Sequence, residues 1–279
     1  MAEALAARHK SIGAAVSSGR EALAAAGCDT PRLDAELLLA ATLGVGRERL
    51  VLDRDHPLPA QAGRRYRELV ARRVAREPVA YILGRREFRR ITLLLDRRVL
   101  IPRPETETLV EVGLGLPAGS TVADVGTGSG AVALALKDER PDLTVRGLDV
   151  DPDALEVARA NATRLGLEVE FTQADLLDGR RYDAVLANLP YVPSGAELAP
   201  EIAGYEPAGA LFAGTDGLNA LRRLVALAGS SSPPPLLLAL ETGPEQTRAV
   251  GKLMTDAGFG TVEVVADLAG RERVVVGSA

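Results

Sequence analysis

Between Thr121 and Leu136 the chain runs from an apolar, strand-like segment, Thr121-Val-Ala-Asp124-Val, through the glycine loop Gly126-Thr127-Gly128-Ser129-Gly130 into a helix-like run, Ala131-Val-Ala-Leu-Ala-Leu136. This unit opens a regular alternation. Strand patterns fall at 121–125, 144–150, 168–174, 182–188, 236–242, 261–266 and 272–278, with helical patterns between most of them. Alternation of this kind is the mark of an α/β fold with a mostly parallel, Rossmann-like sheet of seven strands. The last two strands are separated only by Asp267–Arg271, too short for a crossover helix, so they are expected to pair antiparallel.

The first part of the chain reads differently. Helical patterns cover Ile12–Ala26, Pro31–Leu43, Arg47–Leu52 and a long basic stretch, Pro59–Arg76, with breaks at Gly27 and Gly44, as in a small helical bundle. Residues 87–101 alternate apolar and charged stretches around Asp96-Arg97-Arg98, which predicts a β-hairpin. The expected organisation is a helical domain over 1–82, a hairpin and linker over 83–107, and an α/β domain over 108–279.

Composition excludes several classes. With 279 residues and a net charge of −5, the chain lacks the basic surface of a dedicated nucleic-acid binder. Its arginines do cluster, at Arg64, Arg65, Arg67, Arg72, Arg73 and Arg76, then at Arg85, Arg86, Arg89 and Arg90. Solvated helix and hairpin faces are the default reading of such runs, and a docking surface for an acidic partner is the alternative. The single cysteine, Cys28, excludes an internal disulfide. His9 and His56 form no metal constellation, and no nucleophile–base set has convincing spacing. No uninterrupted apolar stretch is long enough for a signal h-region or a membrane span, so a cytoplasmic location is expected.

The glycine loop implies close approach of a ligand to backbone N–H groups at a helix N-terminus. Its G-x-G-x-G spacing departs from the dinucleotide fingerprint. Asp124 would repel a pyrophosphate but suits a ligand carrying an ammonium and a sulfonium, as S-adenosylmethionine does. The expected cofactor contacts in the loop are Asp124, Gly126, Thr127, Gly128, Ser129 and Gly130. The next strand ends in Asp149, at the distance where a carboxylate accepts from ribose hydroxyls. Asp151 and Asp153 read instead as the cap and first turn of a helix reaching Leu165. Asp175 and Leu176, after the third strand, are candidates for the edge and wall of an adenine site, with a surface acid the plain reading of Asp175.

The apolar run Tyr182–Ala187 leads into Asn188-Leu189-Pro190-Tyr191. An amide or aromatic-amine nitrogen is a poor nucleophile because its lone pair is delocalised. Acceptors for both of its N–H groups, such as the Asn188 side-chain oxygen and the Leu189 or Pro190 carbonyl, would orient it and favour charge building there. Pro190 stiffens the loop and Tyr191 offers an aromatic face. A plain strand-ending turn is the rival reading of these four residues alone.

Taken together, the motifs resemble the HemK/PrmC protein-glutamine N5-methyltransferases, which act on peptide chain release factors. The resemblance runs from about residue 77 to the C-terminus. It is carried by Glu77-Pro-Val-Ala-Tyr-Ile82, Leu100-Ile-Pro-Arg-Pro-Glu-Thr-Glu107, the glycine loop, Asn161-Ala162, Asn188-Leu-Pro-Tyr191, Glu206-Pro207, Ala210-Leu-Phe-Ala-Gly214 and Asp267-Leu-Ala-Gly-Arg-Glu-Arg273. Two positions depart from the family pattern: Leu189 replaces a usual proline, and Leu176 stands where an aromatic is common.

The resemblance implies a seven-stranded S-adenosylmethionine-dependent methyltransferase domain and methyl transfer to the glutamine of a Gly-Gly-Gln motif in release factors. It implies Asn188, Pro190 and Tyr191 as catalytic residues, with Asn188 also beside the cofactor. Leu189, Arg103, Glu105 and Thr106 would border the substrate cleft with them. No metal, membrane or stable nucleic-acid partner is expected. The rivals are a ribosomal-protein glutamine methyltransferase, an exocyclic-amine nucleic-acid methyltransferase, and a binding protein that keeps the cofactor fold without turnover.

Overall fold

The computed structural model describes residues 11–279 and falls into two units, each with its own core. His9 and the start of the segment read for a signal peptide lie outside the described residues. The first unit runs to Gly84 and takes in Leu198–Tyr205 from far along the chain. The second holds Arg85–Glu197 and Glu206–Ala279.

The first unit is helical: α1 (Ile12–Ala25), α2 (Pro31–Leu43), α3 (Arg47–Leu52), α4 (Ala60–Val74) and α5 (Val79–Leu83). Ser11 caps α1 by accepting from the Ala14 N–H, and Pro31 opens α2, which ends at Gly44 with φ 67°. Leu23, Leu38, Leu39, Tyr66 and Leu69 fill the core. The clustered arginines in and just after α4 are largely committed inside this unit. Arg73 is buried, with Nε 2.7 Å from Asp34 Oδ2, and it also pairs with Glu201. Arg76 pairs with Glu201 as well, and Arg72 holds Glu77 at 2.7 Å. Glu201 lies on the short helix α9 (Pro200–Tyr205), so the distant segment is tied to this unit by charge.

The second unit begins with a hairpin, β1 (Arg85–Phe88) and β2 (Ile91–Leu94), paired with Phe88 opposite Ile91. Its turn is at Arg89–Arg90, not around Asp96–Arg98 as the charge pattern suggested. Arg89 adopts φ 50°, and its side chain is held by Glu111 and Glu139. Asp96 instead accepts the Arg98 N–H at 3.0 Å, a side-chain turn in the strand exit.

Beyond α6 (Glu107–Leu114) the expected alternation follows: β3 (Thr121–Val125), α7 (Ala131–Glu139), β4 (Thr144–Asp149), α8 (Pro152–Leu165), β5 (Glu170–Gln173), β6 (Ala184–Ala187), α10 (Asn219–Ser230), β7 (Leu237–Glu241), α11 (Thr247–Asp256), β8 (Thr261–Ala266) and β9 (Glu272–Ser278). The seven strands lie in the order β5-β4-β3-β6-β7-β9-β8. β9 is antiparallel to both β7 and β8, and the other pairings are parallel.

Both faces of the sheet are covered. Ala123, Val125, Val185, Ala187, Leu238 and Leu240 meet Leu221, Leu224 and Val225 of α10 and Val250 and Met254 of α11. The alternate residues face α6 and α7. A Cβ placed on Gly113 of α6 would lie 3.1 Å from side-chain atoms of both Leu136 and Leu186. This is why β6, Ala-Val-Leu-Ala, is apolar without alternation and buried throughout. Chain order reverses between β3 and β6, so the loops after these neighbouring strands diverge and leave a crevice at their C-terminal ends. Among the described residues no helix is long and apolar enough to cross a membrane.

Candidate active site

A cavity of about 580 Å³ opens at that reversal point, within the range of small-molecule sites. Gly126 and Gly128 line it from the β3 loop, Asp149 from the end of β4, Asp175 and Leu176 from beyond β5, and Asn188, Leu189 and Pro190 from the end of β6. Four strand ends therefore converge on one space.

The glycine loop is held from several sides. Gly126, Gly128 and Gly130 have φ of 73°, 55° and 83°, a left-handed conformation that disfavours side chains. The Gly126 and Thr127 N–H groups both donate to the Leu148 carbonyl, at 2.8 and 3.0 Å. Asn161, fully buried on α8, donates from Nδ2 to the Ser129 and Leu94 carbonyls, 3.0 Å each, and accepts the Leu94 N–H at 2.7 Å. Leu189 packs over Gly126, where a Cβ would come within 2.9 Å of Leu189 Cδ2.

The two aspartates of this region have different roles. Asp124 is 2 % exposed and turned into the sheet, accepting from Thr127 Oγ1 at 2.6 Å and from the Ala133 N–H at 3.1 Å. Burial pushes its carboxyl up to about 6. Asp149 points into the cavity. Its Oδ2 accepts the Gly128 N–H at 2.8 Å and its Oδ1 the Asp151 N–H at 3.0 Å, leaving lone pairs on both oxygens for a ligand. Burial raises its carboxyl as well. Asp124, Thr127, Ser129 and Gly130 do not line the cavity; they support the loop that does. Asp175, at the rim, pairs with Arg223 of α10 at 2.7 Å.

The residues expected around a substrate divide similarly. Asn188 donates from Nδ2 to Thr106 Oγ1 at 2.9 Å. Tyr191 does not reach the cavity lining: its hydroxyl donates to Glu241 Oε1 over 3.4 Å, and burial raises it to about 12. Arg103 pairs with the buried Glu206, which also accepts the Ile101 N–H at 3.2 Å, and Glu105 faces Arg271 at 3.4 Å. These bonds bind the Ile101–Glu107 segment to Glu206 and to the loop before β9. After Tyr191 the chain is pinned by Val192, whose N–H donates to the Leu211 carbonyl at 2.9 Å and whose carbonyl accepts from Ala213 at 3.0 Å.

Sequence reading assigned no role to several cavity residues: Arg98, Val99, Pro207, Phe212, Asn219 and Arg223. Phe212 had a legible signal, since it sits in the quoted Ala210–Gly214 motif and is a partly exposed aromatic in a chain poor in them. Among the described residues no cluster of His, Cys, Asp and Glu is arranged to hold a metal.

Comparison with known proteins places this geometry. Residues 14–84 match the PrmC N-terminal domain and residues 105–203 the methyltransferase small domain. A release factor glutamine methyltransferase of Mycolicibacterium smegmatis is 42% identical over 270 residues, covering 94% of this chain and 95% of its own. The chain belongs to the release factor glutamine methyltransferase family. The family protein of Burkholderia pseudomallei is 44% identical over 255 residues, covering 86% of this chain and 90% of its own. A methyltransferase from Pyrococcus furiosus shares the fold, with a TM-score of 0.51 at 15% identity over 67% of this chain and 87% of that one. As a methyltransferase of this family, the chain is an enzyme, and the methyltransferase match covers the glycine loop, Asp149 and Asn188 alike.

Proposed function

We propose that this enzyme moves the methyl group of S-adenosylmethionine to the side-chain amide nitrogen of the glutamine in the Gly-Gly-Gln motif of peptide chain release factors, in the cytoplasm. One observation carries the reading: Asn188 and Pro190 border the same cavity as Asp149 and the glycine loop. Groups suited to an amide nitrogen therefore stand beside groups suited to a nucleoside.

The cavity fits the cofactor. Asp149 has free acceptor capacity for ribose hydroxyls, the backbone at Gly126 and Gly128 carries no Cβ to exclude a ligand, and Leu176 gives an apolar wall. The ligand supplies an electrophilic methyl on a sulfonium, a good leaving group. Asn188 Oδ1 and the carbonyl of Leu189 or Pro190 accept the two N–H groups of the substrate amide, which fixes the nitrogen in line with the methyl. Leu189 in place of proline loosens the loop at one φ, and its packing over Gly126 compensates for part of that loss. No general base is required, because an alkylated amide nitrogen is strongly acidic and releases its proton to water. Asp124, Thr127, Ser129 and Gly130 act by holding the loop, and Tyr191, Arg103 and Glu105 by holding the cleft segments.

The helical unit is assigned to partner recognition, since a lone glutamine offers too few contacts to select one protein. Arg64 and Arg67 of α4 lie outside the Asp34–Arg73–Glu201 network and give this unit its positive charge.

Labelled S-adenosylmethionine incubated with whole release factor, a Gly-Gly-Gln peptide, ribosomal proteins and DNA tests the reading. Label on the release factor glutamine is expected. Label only on a ribosomal protein or on DNA would replace it. Reversing Arg64 and Arg67 to glutamate should slow methylation of the whole release factor and leave the peptide unaffected.

A further inference from the structure

We propose that Gln246 is a positioning residue for the substrate loop Asn188–Tyr191: through the Tyr191 carbonyl it fixes the peptide plane at the end of that loop. The inference rests on the reaction proposed above. Gln246 is half-buried in the turn Pro244–Gln246, between β7 and α11. Its Nε2 donates to the Tyr191 carbonyl at 3.0 Å and to the Asp216 carbonyl at 3.2 Å, and its Oε1 accepts the Gly243 N–H at 3.1 Å. Both amide protons and the amide oxygen are in use, which sets the side chain in one orientation.

One peptide plane is held at both edges by this arrangement. The Tyr191 carbonyl and the Val192 N–H belong to the same planar unit. The N–H donates to the Leu211 carbonyl at 2.9 Å, and the carbonyl accepts from Gln246. With the N–H bond alone, the plane is free to swing about it. At its other end the loop is tied by Asn188, whose Nδ2 donates to Thr106 Oγ1 at 2.9 Å. The Leu189 and Pro190 carbonyls, one of which accepts from the substrate amide, lie between these two ties. Their aim depends on the φ and ψ of only a few residues, and Pro190 fixes one of those angles. A shift at Tyr191 therefore passes directly to them.

The backbone is shaped around these bonds. Gly217 has φ 73°, and a Cβ there would run into the Tyr191 carbonyl oxygen and stand 2.7 Å from Gln246 Nε2. No side chain fits that space, so the end of the loop seats directly against backbone. Asp216, the residue before it, accepts the Leu218 N–H at 3.1 Å and leads into α10, whose Asn219, Ala220 and Arg223 line the cavity. Gln246 thus joins the end of the substrate loop, the approach to α10 and the turn before α11. Capping that turn requires only Oε1. The two bonds from Nε2 serve its neighbours.

The test measures kcat, KM for a Gly-Gly-Gln peptide, S-adenosylmethionine affinity and the urea midpoint for wild type, Gln246→Glu, Gln246→Leu and Gly217→Ala. Gln246→Glu is the deciding variant. It keeps an oxygen for the Gly243 N–H, and so the turn, but presents a carboxylate instead of two N–H groups to the Tyr191 and Asp216 carbonyls. Positioning predicts that Gln246→Glu and Gln246→Leu lower kcat alike, on the order of tenfold to a hundredfold, the scale of a misplaced reacting group. Cofactor affinity should stay within a few fold of wild type, because Gln246 does not line the cavity. Capping alone predicts that only Gln246→Leu is impaired, chiefly in its urea midpoint. Gln246→Glu carries the test should Gln246→Leu fail to fold. Gly217→Ala crowds the same carbonyl with Gln246 left in place, and it should show the same loss of kcat. Wild-type kcat in Gln246→Glu or Gly217→Ala, or a fall in cofactor affinity that matches the loss of kcat, would overturn the positioning role while wild-type methylation leaves the reaction standing. Absence of methylation by wild type would overturn both.

Discussion

The Gly128 N–H donates to Asp149 Oδ2 at 2.8 Å, joining the loop after β3 to the last residue of β4. One carboxylate thereby shapes the glycine loop while its remaining lone pairs face the cavity. The loop backbone at Gly128 and the free carboxylate lone pairs at the cavity are consequently set by a single side chain.

Asp149→Ala should weaken S-adenosylmethionine binding tenfold or more, each tenfold being about 1.4 kcal/mol. Titration calorimetry on the folded variant checks this, and unchanged affinity would remove Asp149 from the site.

Gly128→Val should abolish cofactor binding. A β-branched residue is strained at φ 55°, and the added Cβ meets no atom nearer than 4.0 Å, so the change acts on backbone and cavity rather than by a clash inside the protein. Circular dichroism should remain native while the titration goes flat; a normal titration would count against the loop.

Asn188→Ala should leave cofactor affinity within a few fold and cut turnover by about a hundredfold, as expected for an oriented polar group used in the transition state. Near wild-type turnover would reduce Asn188 to a turn residue.

Arg73→Leu should destabilise the helical unit by about 3–5 kcal/mol, because Asp34 and Glu201 lose their shared buried partner. Arg65→Ala, which removes an exposed pair with Glu68, should cost only about 0–1 kcal/mol. Urea unfolding of the two variants should separate these values clearly.

Stability should also depend on Glu241 and pH. Its carboxyl sits at about 7 when folded against an ordinary 4.5, so the folded chain binds more protons between those values. By linkage this contribution is present below the lower value and is lost as pH rises through the upper one. Wild type should therefore lose stability relative to Glu241→Gln between pH 5 and pH 8, read from denaturation midpoints across that range. A constant difference would mean that Glu241 titrates normally.

Much of this architecture was written in short stretches of sequence. Apolar runs and alternations predicted every sheet strand to within two residues, because such patterns depend only on near neighbours. Glycines after β3 announced left-handed backbone, and the places of Asp149 and Asn188 at the crevice were legible because one ends β4 and the other follows β6. Tertiary structure decided what those residues face. Asp124 and Asp149 share one face of the sheet, yet Asp124 lies inside its strand and is covered by α7, while Asp149 ends its strand and reaches the cavity. The capture of Leu198–Tyr205 by the helical unit, the bond of Asn188 to Thr106 and that of Tyr191 to Glu241 join residues far apart in the chain. Such contacts follow from the order in which all seven strands assemble, and no local pattern carries that information.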